Sequence, residues 1–351
     1  MSPDTACSLT FKIENLVSRI IEPGGRAVEK AVQVRTDPVT GRTCRITFAR
    51  SKEKETGTSA LPEPPPAAKE TRSCPFCSPQ LAEQTPMLAG ELSNSERLEK
   101  ENSVLFPNLF PYGRYSAVSL FDNHHFVEIG TASRRAYADS FINCRCYLEK
   151  VLATDPAAVY MAVTQNHLPS AGGSLVHPHL QVHADRLAPN NLRFLEQRSA
   201  DYHRQTGNRL FSDYLDHELA DKTRLIGRTG SWHWMAAFAP EGFFEIWGIL
   251  PGTCSILDLS AKQWESVSEG VLNTQKFYRS LNRNGYNLGL LSVETGSSRL
   301  EMRVRILARS NYAPWVRNDH TGYEVMLGDM ATFNTPEETA AMARPFWGVN
   351  T

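Results

Sequence analysis

The chain has 351 residues, 41% of them hydrophobic, which is enough for a large core and suggests about two domains. Lysine plus arginine (37) balance aspartate plus glutamate (38), leaving a formal charge of −1. With no basic stripe, neither a nucleic-acid surface nor an anionic membrane partner is expected. No apolar run approaches the ~18 residues of a membrane span, and Met1-Ser2-Pro3-Asp4 lacks the pattern of a secretory signal, so a cytoplasmic protein is expected. An odd count of seven cysteines points to thiols or metal ligands instead of a disulfide framework.

Residues 1–30 are assigned to an N-terminal extension. Residues 30–50 read as a hairpin with its turn at Asp37-Pro38-Val39-Thr40-Gly41, and the charged, then proline-rich stretch 51–73 reads as a loop. Strand-like runs follow at Ser103–Phe106 and Ser116–Phe121. Helical spacing of Tyr137, Phe141, Cys144, Tyr147, Leu148 and Val151 predicts a helix over 133–153. A strand pair then carries His177 to His183, and 189–223 reads as helical. The order begins again near Trp232, with strands at 232–239 and 243–250, a helix at about 261–283 opened by a Ser260/Gln263 capping box, and a strand pair at 286–309. A last helix opens at Thr335-Pro336-Glu337-Glu338. This repetition predicts an α+β protein of two pseudo-repeated halves, 31–225 and 226–351, each an antiparallel sheet with flanking helices. Where the first half carries imidazoles, the second has Glu301-Met302-Arg303-Val304-Arg305.

The chemistry concentrates in Ser174-Leu175-Val176-His177-Pro178-His179-Leu180-Gln181-Val182-His183. On a strand, residues two apart share a face, so His177, His179, Gln181 and His183 form one row. Imidazole binds metals, carries protons or attacks phosphorus. Gly172, Gly173 and Ser174 precede the row, and a glycine turn brings backbone N–H groups close to an anion while a serine hydroxyl adds a donor. Three histidines at strict period two behind Gly-Gly-Ser favour a phosphate site with an imidazole nucleophile over ordinary strand histidines, the reading kept for His167, His203 and His217. Asn166 is a turn asparagine or a further phosphate donor.

Cys74 and Cys77 form a Cys-x-x-Cys pair that supplies two thiolates to a tetrahedral metal. A thioredoxin-like redox pair belongs between a strand and a helix, whereas this one follows a proline-rich loop, which favours zinc. His124 or His125 can add a third ligand and His177 the fourth.

Taken together these residues resemble the galactose-1-phosphate uridylyltransferase family of the histidine-triad superfamily. Arg35-Thr36-Asp37-Pro38-Val39-Thr40-Gly41 is similar to the family's R-x-N-P-L-T-G, with Arg50 where a second arginine is expected. Cys74-Pro75-Phe76-Cys77 matches its zinc pair, and Pro107-Asn108-Leu109-Phe110-Pro111 resembles its P-N-K-F-P. Asn166, Ser174 and His177-Pro178-His179-Leu180-Gln181 match N-x7-S-x2-H-P-H-x-Q. Gly322-Tyr323-Glu324 followed by Thr335-Pro336-Glu337-Glu338 resembles its C-terminal segment.

The resemblance implies that His179 attacks the α-phosphorus of a nucleotide sugar to give a nucleotidyl-histidine, from which a sugar 1-phosphate takes the nucleotide. Gln181 would support the non-bridging oxygens. Ser174, Gly173 and Asn166 would hold the departing phosphate, and Asn108 and Tyr323 would contact substrate; His183 is an addition to the family pattern and a further candidate substrate contact. Arg35 would enter from the second subunit of a homodimer. Structural zinc would sit on Cys74, Cys77, His177 and either His124 or His125. Transfer of UMP is the leading expectation. An ADP-sugar or dinucleotide phosphorylase and a zinc-stabilised nucleotide-binding protein are the alternatives. Arg303 and Arg305 stand near where relatives carry a second metal, so no second metal is expected. Met330 replaces a glutamine used on the hexose phosphate, which leaves the sugar open.

Overall fold

The computed structural model describes residues 9–47, 61–311 and 320–348; Arg50 and the charged residues 51–60 of the expected loop lie outside them. The chain opens with strands β1 (Lys12–Ile21), β2 (Ala27–Thr36) and β3 (Thr43–Thr47), then a short helix α1 (Gln80–Gln84). Strands β4 (Leu98–Lys100), β5 (Ser103–Pro107) and β6 (Tyr115–Leu120) lead to the long helix α2 (Arg134–Thr154), followed by β7 (Tyr160–His167) and β8 (His179–Asp185). Helices α3 (Asn190–Thr206) and α4 (Leu210–Asp221) precede β9 (Leu225–Thr229), β10 (Trp232–Ala236) and β11 (Phe243–Leu250). Helix α5 (Ala261–Ser280), β12 (Gly285–Val293), β13 (Met302–Arg309), α6 (Gly322–Leu327), β14 (Met330–Thr332) and α7 (Pro336–Ala343) complete the order.

Ten strands form one antiparallel sheet in the order β4-β5-β6-β8-β7-β12-β13-β11-β10-β9. Each half contributes three strands, a long helix and two strands, and the halves meet where β7 pairs with β12, Asn166 opposite Asn287. One face is covered by α2 and α5 through Tyr137, Phe141, Trp264 and Phe277 against Val163, Leu180, Leu288 and Val304. Over the C-terminal half of the other face, Leu192, Phe211 and Tyr214 of α3 and α4, with Cys44 and Ile46 of β3, cover Trp247 and Ile249. Alternation along β8 and β13 sends apolar residues to the first face and, Leu307 apart, polar ones to the second. Both long helices start on serines: Ser133 accepts from Ala136 N–H, and Ser260 forms the expected capping box with Gln263. The Thr335/Glu338 box opens α7 with Pro336 at its first turn.

The residues assigned to an extension include a strand. A second sheet runs β1-β2-β3-β14, and β2 crosses the boundary placed at residue 30. β1 is exposed along its whole length, so it carries no half-buried alternation to read.

Candidate active site

The ladder takes up β8 at His179, because Pro178 has no N–H to donate. The row on the strand is therefore His179, Gln181 and His183, and His177 leaves it for the thiols of Cys74 and Cys77. On β6 the row faces Leu120, Val118 and Ser116; on β7 Gln181 faces Thr164 and His183 faces Ala162. Asn166 is two residues beyond Thr164 on the same face, flanking the His179 end.

His179 is 6% exposed. Its Nδ1 lies 2.7 Å from the His177 carbonyl, which only accepts, so Nδ1 carries the proton and Nε2 keeps its lone pair. Nε2 has no partner among the described residues, yet it is not sealed from solvent. Burial pushes the imidazole pKa down, against the pull of the carbonyl bond, so the ring is neutral at pH 7. The Gln181 carboxamide likewise makes no hydrogen bond among the described residues. His183 Nδ1 sits 3.2 Å from Ser116 Oγ, and burial lowers its pKa.

The turn before the row is shaped by its glycines. Gly172 takes φ +87°, and a Cβ on Gly173 would approach the Asn166 carbonyl to 2.9 Å, so only glycine lets the turn that exposes Ser174 close over the end of β7. Asn166 Oδ1 accepts from Asn287 Nδ2 at 2.7 Å, and Asn287 also donates to the Ala171 carbonyl at 2.8 Å and accepts from Arg309 Nη1 at 2.7 Å. Asn287, on β12, thus fixes both the Asn166 carboxamide and the glycine turn. Sequence reasoning missed it because only the pairing of β7 with β12 brings it there. Asn108 lies near the His183 end, its backbone N–H on the Ser116 carbonyl and its Oδ1 closing a turn with Phe110 N–H.

Two expected substrate contacts are elsewhere. Arg35 is 3% exposed, bidentate to Glu337 at 2.8 and 2.9 Å and stacked over Phe238. A guanidinium so buried and paired within its own chain is not presented to a second subunit. Tyr323 lies on α6 beside the four-stranded sheet, far in topology from β8.

Cys74, Cys77, His125 and His177 form a partly buried cluster whose ligand atoms lie within 4.8 Å of one another. Cys77 Sγ is 3.3 Å from His125 Nδ1 and 3.6 Å from His177 Nδ1, and Cys74 Sγ is 3.8 Å from His177 Nδ1. Tetrahedral zinc, with bonds of about 2.3 Å to sulfur and about 2.0 Å to nitrogen, sets such atoms roughly 3.5 Å apart. Each imidazole points its other nitrogen at a carbonyl, His125 Nε2 to Ala67 at 2.8 Å and His177 Nε2 to Asp122 at 3.3 Å, leaving both Nδ1 atoms free to ligate. The residues fit zinc, and the choice falls on His125, since His124 instead meets Asp122 at the surface. Such an ion would brace the loop. Phe76, between the two cysteines, packs edge-on against His177 and His179 with centroids at 5.9 and 5.4 Å.

No family model matches the chain. An uncharacterized protein of Archaeoglobus fulgidus is 28% identical over 340 residues, covering 97% of this chain and 99% of that protein. An ADP-glucose phosphorylase from Arabidopsis thaliana, solved with bound ADP-glucose, has TM-score 0.68 at 20% identity over 89% of this chain and 98% of its own. A uridylyltransferase mutant has TM-score 0.67 at 17% identity over 90% and 97%. The chain therefore has the fold shared by these uridylyltransferase and phosphorylase structures, which is the fold implied by the sequence resemblance.

Proposed function

We propose that the protein is a nucleotidyltransferase working through a covalent nucleotidyl-His179 intermediate. The observation that carries this reading is the His179 tautomer: proton on Nδ1, lone pair on Nε2, beside an uncommitted Gln181 carboxamide. Nε2 attacks the α-phosphorus of a nucleotide sugar, the bond from phosphorus to the bridging oxygen breaks, and sugar 1-phosphate leaves as a stable anion. An acceptor oxygen then attacks the same phosphorus and the P–N bond breaks. Gln181 supports the non-bridging oxygens as charge builds. Asn166, Gly173 and Ser174 hold the departing phosphate, Asn108 and His183 border the nucleotide, and structural zinc on Cys74, Cys77, His125 and His177 keeps the loop on His179.

UMP moving from UDP-glucose to a hexose 1-phosphate is the leading reaction. Phosphorolysis of an ADP-sugar by inorganic phosphate is favoured as the second reading by one observation: Met330, standing where a hexose-binding glutamine is used, is 6% exposed, opposite Cys44 in the four-stranded sheet. A homodimer is also proposed, because β1 leaves Ile13, Leu16, Val17, Ile20 and Ile21 exposed along an outer strand.

Intact-protein mass spectrometry after mixing with UDP-glucose or ADP-glucose tests the intermediate. A mass gain of one nucleoside monophosphate is expected in the wild type and none in H179N, and adding phosphate or a hexose 1-phosphate identifies which acceptor removes it. An adduct that persists in H179N, or a wild type that turns over with no adduct, refutes the assignment.

A further inference from the structure

We propose that the C-terminal half carries a second binding site, for a phosphorylated sugar, built around Arg303. Strand β13 lies between β12 and β11 as β8 lies between β7 and β6. One rung runs Gln181–Thr164–Gly289–Arg305 across four strands, so Arg305, and Arg303 two residues before it, point to the sheet face that bears His179. The rung sets Gln181 and Arg305 about 14 Å apart, three strand spacings. Over this second position lies a cavity of about 200 Å³, bordered by Asp37, Asn191, Glu241, Trp247, Asn287 and Arg303.

The other charged groups of its lining are engaged. Arg305 pairs with Glu245 at 2.6 and 3.0 Å, and Arg42 with Glu241 at 3.2 Å and Asn191 at 3.1 Å. Asp37 accepts from Val39 and Thr40 of its own turn, and Glu301 from Ser212 and Gly252. Arg303 makes no hydrogen bond or ion pair among the described residues. Its guanidinium carbon lies over two rings, Trp247 at 4.1 Å and Phe211 at 5.0 Å. Ring stacking uses the faces of a guanidinium and leaves its N–H edge, a fork matched to phosphate. Burial, together with the charge of Arg305, pushes the Arg303 pKa down against the opposing charges of Glu245, Asp37 and Glu241, none of which reaches it with a hydrogen bond.

The remaining border narrows the ligand. Asn191, whose Oδ1 alone is used by Arg42, offers its amide N–H groups to hydroxyls, and Glu241 keeps lone pairs beyond those taken by Arg42, while the carboxylates nearby repel a ligand that is anionic throughout. Gly289 has nothing within 4 Å of where a Cβ would stand, so the floor between the His row and this cavity is open. One anionic end on a polyhydroxylated body satisfies all of these. The site stands whether or not His179 forms an adduct.

Isothermal titration calorimetry of the full chain with glucose 1-phosphate, inorganic phosphate and glucose tests it, in wild type, H179N, R303Q and R303K. Wild type and H179N should retain an Arg303-dependent binding event for glucose 1-phosphate, weaker by tenfold or more in R303Q. Glucose should bind at least tenfold more weakly than glucose 1-phosphate. Should R303Q fail to fold by thermal melting, R303K serves, with a loss of similar direction because a lysine offers one point charge in place of a fork. An R303 variant that folds and titrates like wild type overturns the site. So does a crystal soaked with glucose 1-phosphate that shows no phosphorus beside Arg303, and so does equal binding of glucose and glucose 1-phosphate, which would show that the guanidinium plays no part.

Discussion

In the proposed transfer, the reactivity of His179 would come from where its two nitrogens are sent. The carbonyl two residues earlier takes the Nδ1 proton, at 2.7 Å, and burial keeps the ring neutral, so the nucleophilic lone pair is present without a general base. Gln181 faces the same way and makes no protein hydrogen bond among the described residues, so in the proposed reaction its N–H groups would meet developing charge without first breaking another bond. Gln181→Ala should lower the rate of adduct formation by about 10²-fold while leaving thermal stability near wild type, as for other preorganised oxyanion donors. Stopped-flow or quench measurement of the adduct checks this, and an unchanged rate removes the residue from the mechanism.

At the scale of elements, the loop 74–77 and the strand β8 act as one unit. Cys74 and Cys77 meet His177, which precedes β8, while Phe76 leans on His179 and packs with Phe106, Val118 and Leu120 beside the row. A metal here would hold the loop to the strand. Cys74→Ser should lower bound zinc and reduce Tm by about 5 °C or more, the shift expected for a loss of a few kcal/mol in a chain of this size. Metal analysis with thermal melting checks it. Because Phe76 would then release His179, activity should fall as well, but by less than in H179N. A metal-free wild type with unaltered Tm contradicts the role.

For the molecule as a whole, an ion cluster joins the four-stranded sheet to the ten-stranded one. Arg35 of β2 and Arg224, beside β9, converge on Glu337 at the start of α7 at 2.8 and 3.0 Å. Burial raises the Glu337 pKa, but hydrogen bonds and charge from Arg35 and Arg224 outweigh it and hold the carboxyl at about 2, against an ordinary value of 4.5. The folded value lies below the unfolded one, so the unfolded chain takes up the proton first. The stabilisation is fully present above pH 4.5 and is lost as pH falls toward 2. The Tm difference between wild type and Glu337→Gln should be largest above about pH 5 and should shrink by about pH 3, where the unfolded-state carboxyl is protonated. A difference that is constant with pH assigns the stability to some other interaction. We further propose that the chain is organised as two halves that divide near residue 225, where β9 begins, with β1 and β2 forming a hairpin of the small sheet.

Local signals carried much of this to the reader of the sequence alone. Period-two spacing gave the row His179, Gln181, His183, helical spacing gave α2, and capping residues gave the starts of α5 and α7, because each of these depends on neighbours within a turn or two. The Cys-x-x-Cys spacing likewise pointed to a cluster that could hold a metal ion. What stayed hidden depends on residues far apart in the chain. The choice of His125 over His124, the burial of Arg35 by Glu337, the support of Asn166 by Asn287 and the uncommitted Arg303 on Trp247 are all set by strand pairing and loop closure across 48 to 302 positions for the bonds among them. Spacing along the chain specifies which side chains share a face. Only the closed sheet decides which face meets which, and therefore which charges are paired and which are left for a ligand.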